Sequence, residues 1–156
     1  TYESQEPLRY ISWHAAEAFN KWLNTSYFNS SDIKVRLPEE WEWEETAGKN
    51  GLTSRDRPSQ KNLGALEAGS FLPGALNLYD MEGNLWEWCS NGFGTNDPYL
   101  YNSLSATDSF PFPDKAVRGG SWANPPGQVK PENRGSQPAD WCTAYIGFRP
   151  VVLQKR

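Results

Sequence analysis

Apolar and polar positions change their period along the chain. In "ISWHAAEAFNKWLN", residues 11–24, Ala16, Phe19 and Leu23 recur three to four residues apart behind Ser12. That spacing predicts a helix capped by Ser12, with those three residues on its apolar face. A second helix follows Leu37: in "LPEEWEWEETAGKN", Pro38 suits the first helical position and the glutamates suit the positive end of the helix dipole. Gly48 is its expected stop, and Trp43 and Ala47 share its buried side. From Lys49 to Ala75, Gly, Pro, Ser and Asn punctuate the chain without period, which predicts a long loop packed on the domain. The period then becomes two. "NLWEWC", Asn84 to Cys89, alternates as a strand does, with Trp86 and Trp88 on one face. Asn91 to Lys115 returns to loop. "AVRGGSW" and "YIGFRPVV" predict further short strands, with Gly119, Gly120 and Gly147 at bulges or close backbone approaches. Helices first and short strands later, with much coil, give an α+β class.

Composition narrows this picture. The 156 residues suit one domain able to bury a core, and 13 Gly with 12 Pro imply a high coil content. Eight Trp, seven Tyr and seven Phe fill an irregular core or line a recognition surface, and core is the expected place for most. A net charge of −4, with acids concentrated in "LPEEWEWEE", argues against nucleic acid as a partner, because a phosphate backbone demands a basic stripe. No apolar run approaches the ~20 residues that span a bilayer, and no signal peptide or anchor is read in this chain, so no direct membrane insertion is expected. Cys89 and Cys142 allow at most one disulfide. With His14 as the only histidine they do not make a zinc site, and His14, at a helix start, is expected to face solvent.

Four stretches in fixed order, "VRLPEEWEWEETAG", "LNLYDMEGNLWEWCSN", "VRGGSW" and "IGFRPV", resemble the formylglycine-generating enzyme (sulfatase-modifying factor) family, whose fold is a variant of the C-type lectin fold. The resemblance runs from Leu8 to Val152. It implies a single lectin-like domain over residues 1–156, with two helices and short antiparallel strands. Domains of this family begin well before the "SW" helix, so N-terminal strands are expected to be missing here. The family's enzymes bind copper through a cysteine pair just after the "RGGSW"-like motif. Ala123 to Gln128 contains no cysteine, and a related iron-dependent branch needs several histidines. The resemblance therefore implies no copper and no enzymatic activity. It also implies a structural Ca²⁺ held by Asp80, the backbone carbonyls of Gly83 and Leu85, and Glu87. The alternative for Glu87 is pairing with an arginine such as Arg118, or with backbone N–H groups, and both remain open.

The chain is also similar to the variable proteins of diversity-generating retroelements. There a C-terminal variable region lies between "RGGSW" and "GFR", and adenines of selected codons are randomised. Here the same motifs flank "ANPPGQVKPENRGSQPADWCTAY", a variable region of about residues 123–146. Randomising both adenines of an AAC codon gives NNC codons, which "ANPPG", "GS" and "CTAY" obey, while Lys130, Glu132, Gln137 and Trp141 fall outside them. The resemblance implies a non-enzymatic ligand-binding face made by Ala123, Asn124, Pro125, Pro126, Gly127, Gly135, Ser136, Trp141, Cys142, Thr143, Ala144 and Tyr145. Tyr145 and Trp141 are the expected anchors; core packing competes with that role in both, and is favoured for Trp141. The implied partner is a protein or other macromolecule, and the implied place is the cell surface or the extracellular space. Two alternatives remain: an oxidase of the formylglycine-generating type with unusual ligands, and an invariant accessory module of the same fold.

Overall fold

The Ser12 hydroxyl accepts the Ala15 N–H at 3.2 Å and starts helix α1, Trp13–Trp22. The computed structural model describes residues 5–29, 32–51, 64–93 and 114–154. On α1 the fully buried positions are Ala16 and Asn20, one turn apart, and His14 is exposed. Phe19, expected on the buried face, is 40 % exposed; its ring meets Phe148 edge-on at 5.7 Å, at the rim of the core. The helix then widens into a π-helical turn, Leu23–Tyr27. Asn24 ties that turn to strand β1, Ile33–Arg36, by donating to the Val35 carbonyl (2.7 Å) and accepting the Val35 N–H (2.8 Å).

Helix α2 spans Glu40–Asn50. Its start differs from the expectation: Glu39 is the N-cap and Pro38 lies one residue outside. Glu39 takes the N-cap because it forms a reciprocal capping box with Glu42, whose Oε2 accepts the Glu39 N–H at 2.8 Å. Gly48 does not stop the helix, which runs on to Gly51, a cap at φ +72°. Arg36 of β1 grips Glu42 through two 2.7 Å contacts and so fixes the helix start to the strand.

A four-stranded sheet in the order β4-β3-β2-β5 comprises β2 (Trp86–Gly92), β3 (Asp114–Arg118), β4 (Arg134–Pro138) and β5 (Ile146–Gly147). β2, β3 and β4 are antiparallel neighbours, whereas β5 runs parallel to β2. The expected strand in residues 145–152 is two strands in two sheets. β5 pairs with β2, and β6 (Val151–Gln154), beyond Pro150, pairs with β1. The predicted loop of residues 49–75 begins later, because Lys49 and Asn50 are helical, and residues 52–63 lie outside the described ones. Of the loop predicted for residues 91–115, Asn91, Gly92, Asp114 and Lys115 are strand residues, and 94–113 lie outside the described ones.

Alternation along β2 divides the interior in two. Trp86 and Trp88 pack with Ala16, Leu37, Val117 and Ile146 on one face, while Cys89 meets Trp43, Ala47, Met81 and Ala116 on the other. The central strands are thus covered on both sides. Among the described residues no helix is long and apolar enough to cross a membrane.

Candidate functional site

The motif "RGGSW" ends β3 and launches the chain on an excursion. Gly119 (φ +94°) and Gly120 (φ +74°) both adopt the left-handed conformation that disfavours side chains. A Cβ on Gly119 would also lie 3.1 Å from the Met81 carbonyl and from the Trp43 ring, and one on Gly120 would lie 3.1 Å from the Gln128 carbonyl. Asn124 Oδ1 then accepts both the N–H (3.0 Å) and the hydroxyl (2.9 Å) of Ser121, closing a turn. A 3-10 turn follows at Pro126–Gln128. The chain returns as β4, so that Arg134 faces Arg118 across the ladder.

The base of this excursion is held by charge. Arg118 is fully buried; it donates to Glu40 Oε1 at 2.8 Å and to the Pro131 carbonyl at 2.6 Å, and lies 2.9 Å from Glu44. Arg134 closes on the same Glu40 carboxylate with contacts of 2.6 and 2.9 Å. Such charge-assisted contacts fix the backbone of residues 119–133 at both ends without using its outward-facing side chains.

The structure gathers only part of the expected ligand-binding set. Ala123, Asn124, Gly135, Ser136 and Tyr145 line one cavity of about 280 Å³, together with Trp86, Val117, Ser121 and Gln137. Pro125, Gly127, Trp141 and Cys142 are exposed outside it, and Thr143 and Ala144 are half-buried outside it. Pro126 contributes backbone to the 3-10 turn. Trp141 is 51 % exposed, which corrects the expectation that it belongs to the core. Tyr145 does both jobs, packing on the Trp88 cluster while lining the cavity. Two positions expected to be free are constrained. Asn124 holds the Ser121 turn, and a Cβ on Gly135 would come 3.0 Å from Val117 and 3.2 Å from the Trp86 ring. Sequence reasoning missed Gln137 and Trp86 as lining residues: β4 carries no alternating pattern, and Trp86 already had a core role. The one available signal was that Gln137 breaks the NNC restriction and so belongs to the frame.

The residues expected around calcium are partly brought together. Asp80, Leu85 and Glu87 line a second cavity of about 250 Å³ with Asn84 and Arg149, but Gly83 does not. Asp80 Oδ2 accepts the Gly69 N–H at 2.7 Å, and its Oδ1 is buried with no partner among the described residues. Glu87 is saturated: Trp43 Nε1 donates at 2.7 Å, and Arg149 donates through Nε (3.1 and 3.0 Å) and Nη2 (2.7 Å). Beside Glu87, the Arg149 guanidinium is held above its ordinary pKa despite burial, with Asp80 adding to the effect. As positioned, the set does not fit a hard cation. One oxygen of Asp80 is spare, while Glu87 is already neutralised by Arg149 rather than by Arg118. No group of three or more His, Cys, Asp or Glu side chains suited to a metal occurs among the described residues. Both cysteines are free, Cys89 buried with its thiol pushed well above the usual range by desolvation, and Cys142 exposed.

Residues 1–154 match the sulfatase-modifying factor enzyme 1-like domain. The chain belongs to that family. Among sequence relatives of this sulfatase-modifying factor domain, the serine/threonine-protein kinase pkn1 of Chlamydia pneumoniae is 25 % identical over 162 residues, covering 94 % of this chain and 24 % of the kinase. The formylglycine-generating enzyme of Mycobacterium tuberculosis is 27 % identical over 181 residues, covering 94 % of the chain and 57 % of the enzyme. The chain thus spans about a quarter to a little over half of these relatives. Among solved structures, PvdO from Pseudomonas aeruginosa superposes with a TM-score of 0.80 at 20 % identity, covering 99 % of this chain and 64 % of PvdO. Treponema denticola variable protein 1 superposes with a TM-score of 0.75 at 18 % identity, covering 99 % of this chain and 74 % of that protein. The fold is α+β and C-type lectin-like, the formylglycine-generating enzyme variant.

Proposed function

We propose that this domain is a non-enzymatic ligand-binding module that presents the segment after "RGGSW" as its recognition face. The observation that carries this reading is the excursion of residues 119–133, clamped at its base by Arg118, Arg134 and Glu40. Ala123, Pro125 and Gly127 are exposed beyond the clamp, and the charged contacts that hold the excursion involve none of their side chains. This is the design in which side chains can change while the scaffold persists, as in binding loops on a rigid sandwich. In its specific form the reading is a variable protein of a diversity-generating retroelement, displayed at the cell surface or outside the cell, with a protein or other macromolecule as ligand. The fold shared with the Treponema variable protein supports it. The test is to read the DNA downstream of the coding sequence. A near-copy of the segment encoding residues 123–146, differing at adenines and lying beside a reverse transcriptase, is expected. Its absence would favour an invariant accessory module of the same fold.

The second reading, an oxidase of the formylglycine-generating type, is favoured by the name of the mycobacterial relative. The residues oppose it. Residues 123–128 contain no cysteine, Cys89 is sealed in the core, and Cys142 has no cysteine beside it in the chain.

A further inference from the structure

We propose that the cavity between α1 and β1 is a site for the carboxylate end of a peptide. It shares no lining residue with the cavity behind "RGGSW", so the proposal stands apart from the reading of residues 123–146. Two of its lining residues leave buried polar atoms unmatched. Among the described residues Asn20, 2 % exposed, has no partner for Nδ2 or Oδ1, and Ser90, 7 % exposed, has none for its hydroxyl. Buried polar groups are nearly always hydrogen-bonded, and unmatched ones gathered at one cavity point to a guest. Asn24 shows what such an amide does here. It lies four residues beyond Asn20, lines the same cavity, and grips a single peptide residue by donating to the Val35 carbonyl at 2.7 Å and accepting the Val35 N–H at 2.8 Å. Asn20 offers the same donor and acceptor, which complement a second peptide unit. Neither of its amide atoms is open to solvent, so binding includes a turn of the amide about χ2, a soft torsion in asparagine.

Charge selects what that peptide unit carries. Most charged groups around the cavity are already matched: Arg36 is held by Glu42, and Glu39 caps α2 and accepts from Trp41 Nε1. Glu17 accepts the Leu37 N–H under the pull of Lys115 and Arg36. Lys21 and Lys34 line the cavity, are exposed, and have no ion-pair partner among the described residues. The unmatched charge is therefore positive, and it takes an anion. An inorganic oxyanion brings no donor for Asn20 Oδ1, and a neutral amide leaves both ammonium groups unused. A peptide C-terminus supplies both parts, a peptide unit and, one Cα further on, a carboxylate. At about 380 Å³ the cavity lies towards the lower end of small-molecule sites, which suits a chain end and not a folded segment.

The experiment is an ¹⁵N-resolved NMR titration of the whole chain with N-acetylglycylglycine, read at the side-chain amide of Asn20 and the backbone amides of Lys34 and Ser90. Saturable shifts are expected at all three. N-acetylglycylglycinamide, which lacks the carboxylate, and acetate, which lacks the peptide unit, are each expected to bind about tenfold more weakly or worse. Asn20→Ala is expected to weaken N-acetylglycylglycine about tenfold without lowering the melting temperature. A double variant, Lys21→Met with Lys34→Met, changes only exposed positions and is expected to bind the acid no better than the parent binds the capped amide. N-acetylaspartic acid α-amide, whose carboxylate sits on a side chain, is expected to bind more weakly than the chain end. The proposal is overturned if N-acetylglycylglycine gives no saturable shift at the Asn20 amide, or if acetate, the capped amide or the aspartate amide binds as tightly. It is equally overturned if Asn20→Ala or the double lysine variant binds as the parent does.

Discussion

Arg118 and Arg134 face each other across β3 and β4 and close on one carboxylate, that of Glu40. Arg118 and Glu40 are fully buried, so the carboxylate is what permits two guanidinium groups to approach in a poorly solvated place. Glu40→Gln removes the negative charge and keeps the shape. Urea unfolding is expected to register a loss of about 3–5 kcal/mol, the usual consequence of breaking a buried ion pair by removing one partner, with Glu44 remaining beside Arg118. A loss below about 1 kcal/mol would mean that the clamp does not hold the excursion.

Asn20 predicts the opposite sign. It is 2 % exposed in the last turn of α1, and among the described residues neither its Nδ2 nor its Oδ1 finds a partner. Asn20→Ala removes a buried, unsatisfied amide and improves helix propensity, so stability should rise by about 1 kcal/mol. A fall in melting temperature would show that the amide is satisfied in solution.

These two sites mark what was legible in the sequence. Trp86 and Trp88 on a shared face, the helix behind Ser12 and the buried pair Trp43 and Ala47 follow from side-chain period, which records local geometry. β1 and β4 were not legible. "RGSQP" contains Gly, Ser and Pro and becomes a strand only because β3 offers it a ladder and Arg134 meets Glu40. Gln137 was invisible as a cavity residue for the same reason. The partner of Glu87 was similarly ambiguous: the sequence supplies several arginines, and only tertiary packing brings Arg149, 62 positions away, onto that carboxylate.

Acid should loosen the junction of β1 and α2. The hydrogen bonds from Arg36 hold the Glu42 carboxyl below its ordinary pKa, with the Glu39 N–H contributing. The folded state therefore binds this proton less readily than the unfolded chain does. Its stabilisation is fully present above the unfolded value and disappears as pH falls through the folded one. Glu42→Gln should be less stable than the parent at pH 7, and the difference should shrink below about pH 4. A gap of constant size across that range would contradict the assignment.

For Glu87, an arginine and a metal ion are alternative neutralising partners. With the Arg149 fork in place, EDTA should leave the melting temperature unchanged, whereas Arg149→Leu should lower it by stranding Glu87 beside Trp43. A chelator-induced fall reversed by Ca²⁺ and absent in Glu87→Gln would place a cation between Asp80 and Glu87 instead.

The central claim is that the frame holds the excursion and its outward residues are free to change. Ala123, Pro125 and Gly127 on the excursion, and Trp141 and Cys142 beyond β4, are exposed, and a Cβ on Gly127 meets nothing within 4 Å. Gly135 is the contrasting control, because its Cβ would press on Val117 and Trp86. The most direct measurement is thermal unfolding and ligand binding on one variant with all five exposed residues replaced by residue types that NNC codons encode, using a ligand selected against the parent. Each replacement should change stability by no more than about 0.5 kcal/mol, while Gly135→Val alone should cost several times that, and binding by the five-fold variant should be lost. Unfolding of the five-fold variant, or binding that survives it, would contradict the claim.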